Sequence, residues 1–186
     1  MQAHTPGQTH PDANAGGPSA AQLALWATAV GFVVLLVWQA FTLPETVPAH
    51  IGPGGEVTRW GSRTAHVGSM AAFGAMTVGL FLVLPRAIKH LPPDLVNLPH
   101  KEDWLSEENH PRYTRMLADD LAWIGAATIV FMGAMTYNIG RVAVEGPGPD
   151  TMFWIAFVLY MAFILGYSLW MTVGPRWKPP AGASDR

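Results

Sequence analysis

The sequence predicts an all-α integral membrane protein: four transmembrane helices, with a structured proline- and glycine-rich outer loop between the first two. Three observations predict it. Four long spans have uncharged interiors, the positive charges are shared unequally between the connections, and one connection concentrates prolines, glycines, aromatics and arginines between two apolar flanks. Half of the 186 residues are hydrophobic and 13% are charged, against about 25% charged in soluble domains.

Residues 1–20 contain Pro, Gly, Ala and His with nothing to bury, which predicts a disordered cytoplasmic tail. The membrane domain follows over 21–174. Its spans fall near 21–43, 65–88, 120–142 and 152–173, each long enough to cross a hydrocarbon core, which takes roughly 20 helical residues. A cleaved leader is the competing reading of the first span. No Lys or Arg precedes it, however, and its apolar run exceeds the ~7–15 residues usual for a leader core.

Orientation follows from the cations. Arg86, Lys89, Lys101, Arg112, Arg115, Arg176, Lys178 and Arg186 fall on one side and Arg59, Arg63 and Arg141 on the other, eight against three of the 11 Lys and Arg. The positive-inside rule then places both termini and the connection 89–118 in the cytoplasm, and the loop 44–64 outside. Trp26, Trp123, Trp170 and Trp177 stand near inner ends, Trp38 and Trp154 near outer ones, as interfacial anchors do. Residues 175–186 complete the chain as a second cytoplasmic tail.

The outer loop reads LPETVPAHIGPGGEVTRWGSR. Pro44, Pro48 and Pro53 restrict the backbone, Gly54 and Gly55 permit a tight turn, and VTRW after the turn has strand character. A small hairpin lying on the membrane surface is the expected result. In the connection 89–118, Trp104 and Leu105 should dip inward. Asn109–His110–Pro111 should begin a helix that continues unbroken into the third span, with Arg115 and Asp119 at i, i+4.

Between helices, Ala71, Ala75 and Gly79 recur every four residues, as do Ala162 and Gly166, a spacing that lets helix backbones approach closely. No Asp, Glu, Lys or His lies near the middle of a span, which argues against an ion pathway through this chain alone. The polar side chains cluster toward outer ends: Gln39, Thr42, Ser69, Thr136, Asn138 and Arg141.

Several chemistries are excluded or disfavoured. The chain has no cysteine, so disulfides, thiolate catalysis and Cys-ligated metals are out. His50 and His66 share the outer side and His90, His100 and His110 the inner one, but none shows a short ligand spacing, so no metal is expected. There is no HExxH, GxSxG or P-loop signature, and no cofactor is expected.

Pro44, Val47–Pro48–Ala49–His50, Gly55 and Trp60–Gly61–Ser62–Arg63, set between two membrane spans, resemble the bacterial membrane family of unknown function numbered 1648. That pattern runs roughly LP..VP.HF...G....WGSK, with Ile51 here for the aromatic and Arg63 for the lysine. A second stretch, VNLPHKEDWLSEE at 96–108, looks like a connection found in many such proteins. The resemblance implies a multi-pass protein of the bacterial cytoplasmic membrane, in a family that includes immunity proteins against a secreted sporulation-delaying toxin.

The candidate site joins the loop residues His50, Arg59, Trp60 and Arg63 to Gln39, Asn138 and Arg141 beneath them, as one outward-facing surface. Cationic groups suit an anionic ligand group or headgroup, and an indole supplies apolar contact. The function expected is non-enzymatic sensing or neutralising of an extracellular ligand such as a membrane-active peptide. The alternative is a small accessory subunit of a larger membrane complex such as a transporter. Expected partners are the lipid bilayer and either that peptide or a membrane protein, with no nucleic acid.

Overall fold

The computed structural model describes residues 17–88, 90, 92–95, 101–148 and 151–177. The tails at 1–16 and 178–186, and the piece 96–100 of the connection with His100, lie outside them. Among the described residues, four helices are long and apolar enough to cross a membrane: α1 (Ala20–Thr42), α2 (Arg63–Ile88), α4 (His110–Glu145) and α5 (Thr151–Val173). A short helix α3 (Lys101–Trp104) and two 3-10 turns, Pro93–Leu95 and Pro175–Trp177, complete the helical elements.

The expected class is corrected in one respect. The chain is mostly helical rather than all-α, because the loop pairs with itself as a two-stranded antiparallel sheet, β1 (Thr46–Ile51) and β2 (Val57–Ser62). Gly55 at φ 87° makes the turn, in the left-handed region where a side chain is strained. The Gly52 N–H bonds to the Glu56 carbonyl at 2.8 Å, and the Gly55 N–H to that of Gly52 at 2.9 Å. At the base, the Arg63 N–H reaches the Glu45 carbonyl at 2.8 Å, so the hairpin runs directly into α2. Pro48 opposes Trp60 and His50 opposes Arg59, with register irregularities on either side of His50. Pro48 is tolerated because each strand of a two-stranded sheet is an edge. Val47 and Pro48 are fully buried, which seats β1 on the bundle.

Side-chain bonds set the helix directions. Ser19 near the start of α1 donates to Asp119 near the start of α4 at 2.5 Å, and Gln39 near the end of α1 reaches Thr136 of α4, so α1 and α4 run parallel. His66 near the start of α2 meets the same Gln39, and Tyr167 near the end of α5 meets Asp120 of α4, so α2 and α5 run the other way. The hairpin and the α4–α5 connection therefore share one end of the bundle, the hairpin end. The start of α1 and the end of α5 share the other, the tail end.

At the centre of the bundle is α4, which packs on α1, α2, α5 and β1. Its start follows the expected Asn109–His110–Pro111 pattern, and the helix runs unbroken past residue 120. Asn109 occupies the N-cap position without a side-chain cap, and its amide instead donates to the Asp103 carbonyl at 2.9 Å. The start of α1 is better closed. Ser19 accepts from the Gln22 N–H while Gln22 accepts from the Ser19 N–H, a reciprocal cap that fixes the helix start at Ala20.

The expected small-residue stripes do not make the packing. Ala71, Ala75, Ala162 and Gly166 are exposed, and a Cβ on Gly79 would meet no neighbouring element within 4 Å. The close contacts fall elsewhere. A Cβ on Gly74 would stand 2.5 Å from the Phe32 ring, and one on Gly125 would stand 2.8 Å from the ring of Phe81. These helices are apolar all round, so periodicity cannot tell the lipid face from the packed one. Large side chains such as Val34, Phe41, Met76 and Leu165 remain exposed, as the lipid-facing side of a bundle requires.

The tail end has its own core, made of Trp104, Tyr113 and Trp177 with Leu105 partly buried against it. Trp104 and Leu105 thus dip inward as expected. Trp177 does not behave as an interfacial anchor. Its ring packs edge-on to Trp104 at 5.7 Å between centroids, because the chain after α5 turns back onto the connection. The expected tail from residue 175 therefore opens with an ordered turn. Arg176 in that turn forms an ion pair of 2.7 Å with Asp120, and the Tyr167 hydroxyl donates to the same carboxylate oxygen at 2.8 Å. The i, i+4 spacing of Arg115 and Asp119 is not used as a pair, since Arg115 donates to the Pro111 carbonyl and Asp119 accepts from Ser19.

Candidate functional site

Gln39 organises the hairpin end. It is completely buried, and its two polar atoms tie three helices together. Nε2 donates to the Thr136 carbonyl of α4 at 2.9 Å, and Oε1 faces His66 Nε2 of α2 at 3.1 Å. A carbonyl only accepts, so the amide orientation is fixed, and with it the His66 tautomer: Nε2 carries the proton and donates to Gln39. Gly140 makes room for this amide, since a Cβ there would stand 2.5 Å from Gln39 Nε2. The buried Thr136 hydroxyl has no partner among the described residues.

One turn further along α4, Arg141 donates twice to Asn138 Oδ1, at 3.0 and 3.3 Å, and pairs with Glu145 at 3.1 Å. Asn138 is buried and Arg141 partly so. The guanidinium thus extends along its own helix toward the hairpin end and meets a carboxylate there, so its charge is shared within α4.

Between β1 and the hairpin-end halves of α4 and α5 lies a cavity of about 590 Å³. Pro48 to Pro53 form one wall, Met135, Asn138 and Ile139 a second, and Phe153 and Trp154 the third. Its lining is mostly apolar, and His50 and Asn138 bring the polar side chains. The His50 ring is set by a 2.6 Å contact between Nδ1 and the Thr58 hydroxyl across the hairpin.

The seven residues expected to form one surface are placed in three groups. His50 and Asn138 line the cavity, with Arg141 bonded to Asn138 behind it. Gln39 lies inside the bundle and serves packing. Arg59, Trp60 and Arg63 are outside the cavity lining; Arg59 and Trp60 are exposed on β2. Arg63 is the first residue of α2, and its Nη1 donates to the Leu43 carbonyl at 2.6 Å, closing the end of α1. That bond gives Arg63 a structural task in the hairpin base.

Sequence reasoning missed His66 as the partner of Gln39 and missed Met135, Phe153 and Trp154 as cavity walls. His66 carried a usable signal, a histidine one turn inside an apolar span and at the same depth as Gln39. Among the described residues, no three of His, Asp and Glu stand together as metal ligands would.

Among the described residues, four membrane-length helices with α4 at their centre, and a hairpin closing a cavity at one end, define a multi-pass membrane protein. Residues 27–75 match the family model described as Domain of unknown function (DUF1648). No curated protein and no solved structure matches the chain. The matched stretch runs from α1 through the whole hairpin into α2, so the family pattern covers one wall of the cavity. The walls on α4 and α5 lie beyond it.

Proposed function

We propose that this chain is a non-enzymatic protein of the bacterial cytoplasmic membrane, with both termini cytoplasmic and the hairpin outside. In this reading it senses or neutralises an extracellular ligand, of the kind a membrane-active peptide represents, in the cavity beneath the hairpin. The observation that carries the reading is that cavity: about 590 Å³, apolar on α4 and α5, with His50 and Asn138 as its polar points. Ligand sites are commonly of about 300–1,000 Å³, mostly apolar with a few fixed polar groups. An amphipathic peptide segment suits such a lining. Arg59 and Trp60, exposed on β2, supply a cation and an indole beside it for the peptide's flanks or the headgroups.

The test uses a strain lacking the gene, complemented by the wild type or by Ile139→Trp, which fills the cavity without touching the Gln39 bridge. Challenged with membrane-active peptides, the wild type should protect and Ile139→Trp should not, at equal membrane levels. Equal survival with and without the gene would reject the reading. Reporter fusions in the turn at Gly55 and at the C-terminus should lie on opposite sides of the membrane; the same side for both would overturn the orientation.

One observation favours the second reading, a small accessory subunit of a larger membrane complex. None of the residues of α5 is buried, and that helix leaves a wide apolar face beyond α4. A stoichiometric membrane-protein partner retained in mild detergent, and lost when residues on that face are changed, would favour the subunit role over the peptide site.

A further inference from the structure

At the tail end, α1, α2 and α4 leave a groove of about 360 Å³ between them, well away from the hairpin cavity. Its lining changes character along the bundle axis. Arg86 in the last turn of α2 and Arg115 near the start of α4 stand at the tail-end side with Thr114. Phe81 and Ala122, about 7–10 Å further into the bundle at 1.5 Å per residue, make the apolar part, and Trp26 of α1 flanks it. Phe81 is held against Gly125 of α4, so the apolar part is a fixed surface.

Both guanidinium groups are exposed, and neither belongs to the two ion pairs found among the described residues, Arg141–Glu145 and Arg176–Asp120. Each touches a carbonyl of its own helix: Arg86 that of Leu82, and Arg115 that of Pro111. A guanidinium has five N–H donors, so most remain for a ligand. The acid four residues after Arg115, Asp119, accepts from Ser19 and does not neutralise it. Two arginines from different helices and an apolar channel running inward follow the order of chemistry in a phospholipid; the Thr114 hydroxyl beside them donates to the Pro111 carbonyl.

We propose that this groove is a binding site for an anionic phospholipid. Its phosphate lies between Arg86 and Arg115, and one acyl chain runs along Phe81 and Ala122. Arginine suits the headgroup because its planar fork donates twice to phosphate oxygens, and basic pockets between membrane helices are a recurring place for such headgroups. The apolar channel separates this ligand from free phosphate, which has nothing to place there.

The test uses the full chain purified in detergent and offered phosphatidylglycerol and phosphatidylcholine with matched acyl chains, with retained lipid counted by native mass spectrometry. Wild-type protein should retain phosphatidylglycerol preferentially. Arg86→Gln with Arg115→Gln should cut that preference about thirty-fold, the loss expected for two cations beside an anionic headgroup. Ala118→Phe, which narrows the groove and keeps both arginines, should also lower retention. The double arginine variant should elute as the wild type does, since both arginines are exposed. Equal retention of the two lipids by the wild type, or undiminished preference in either variant, would overturn the proposal. Displacement of the lipid by inorganic phosphate at matching concentration would reduce the groove to a simple anion site and overturn it as well.

Discussion

Replacing Gln39 by leucine tests how the hairpin end is held together. The side chain keeps nearly its volume, so the change removes hydrogen bonds rather than packing. Two are lost, to the Thr136 carbonyl at 2.9 Å and from His66 at 3.1 Å. Interhelical side-chain bonds within membranes average about 0.6 kcal/mol and reach about 1.7, and a buried donor left without a partner costs about 1–3 kcal/mol. Gln39 is fully buried and the His66 N–H is left facing leucine, so the expected loss is about 2 kcal/mol. For a chain of this size that corresponds to a fall in Tm of about 4–8 °C, measurable by circular dichroism in a single detergent. The decisive measurement is the cycle with His66→Leu and the double variant. If the two residues are bonded, the second change should cost about 1 kcal/mol less in the presence of the first. Strict additivity, within the ~0.3–0.5 kcal/mol expected of independent sites, would refute the bridge.

Two further outcomes follow from packing and charge. Gly74→Ala brings a Cβ to 2.5 Å from the Phe32 ring; it should cost about 1–2 kcal/mol in thermal unfolding, and Phe32→Leu in the same chain should restore most of that. Arg176→Met leaves the Asp120 carboxylate, only 4% exposed, without its cation; it should cost about 3–5 kcal/mol, and adding Asp120→Asn should recover a large part, read as the amount of folded protein in the membrane.

The membrane architecture was legible because its cause is one-dimensional: uncharged runs of sufficient length. The hairpin was legible for a similar reason, since Gly54–Gly55 followed by VTRW carries its conformation locally, and so was the start of α4 around Asn109–His110–Pro111. The pairing of helices was not. With α2 and α5 apolar on every side, nothing in the spacing of Ala71, Ala75 and Gly79 marks Ala71 and Ala75 as exposed, or Gly74 as the point of contact. At the candidate site, polarity within an apolar span singled out Gln39, Asn138 and Arg141. Asn138 and Arg141 bond locally within α4, but other roles depend on neighbours distant in sequence: His66 for Gln39, the Leu43 carbonyl for Arg63, the α5 aromatics for the cavity. The tail-end cluster escaped notice because Arg176 stands in a proline-rich stretch that resembles a tail, while its partner Asp120 is 56 residues away.

The length of α4 has a mechanical consequence. Its 36 residues form one helix about 54 Å long, well beyond the ~30 Å of a hydrocarbon core, and no proline interrupts it after Pro111. Asn138 at the cavity and Asp120 at the Arg176 ion pair ride on this single rod, about 27 Å apart along its axis. A rod of this kind has few ways to absorb a push locally. A displacement or rotation imposed at the hairpin end would meet no break in α4 before the Asp120–Arg176–Tyr167 contact, where a buried carboxylate depends on its partner. The cavity end and the Arg176 ion pair are thus joined by one continuous helix rather than by a jointed pair of helices.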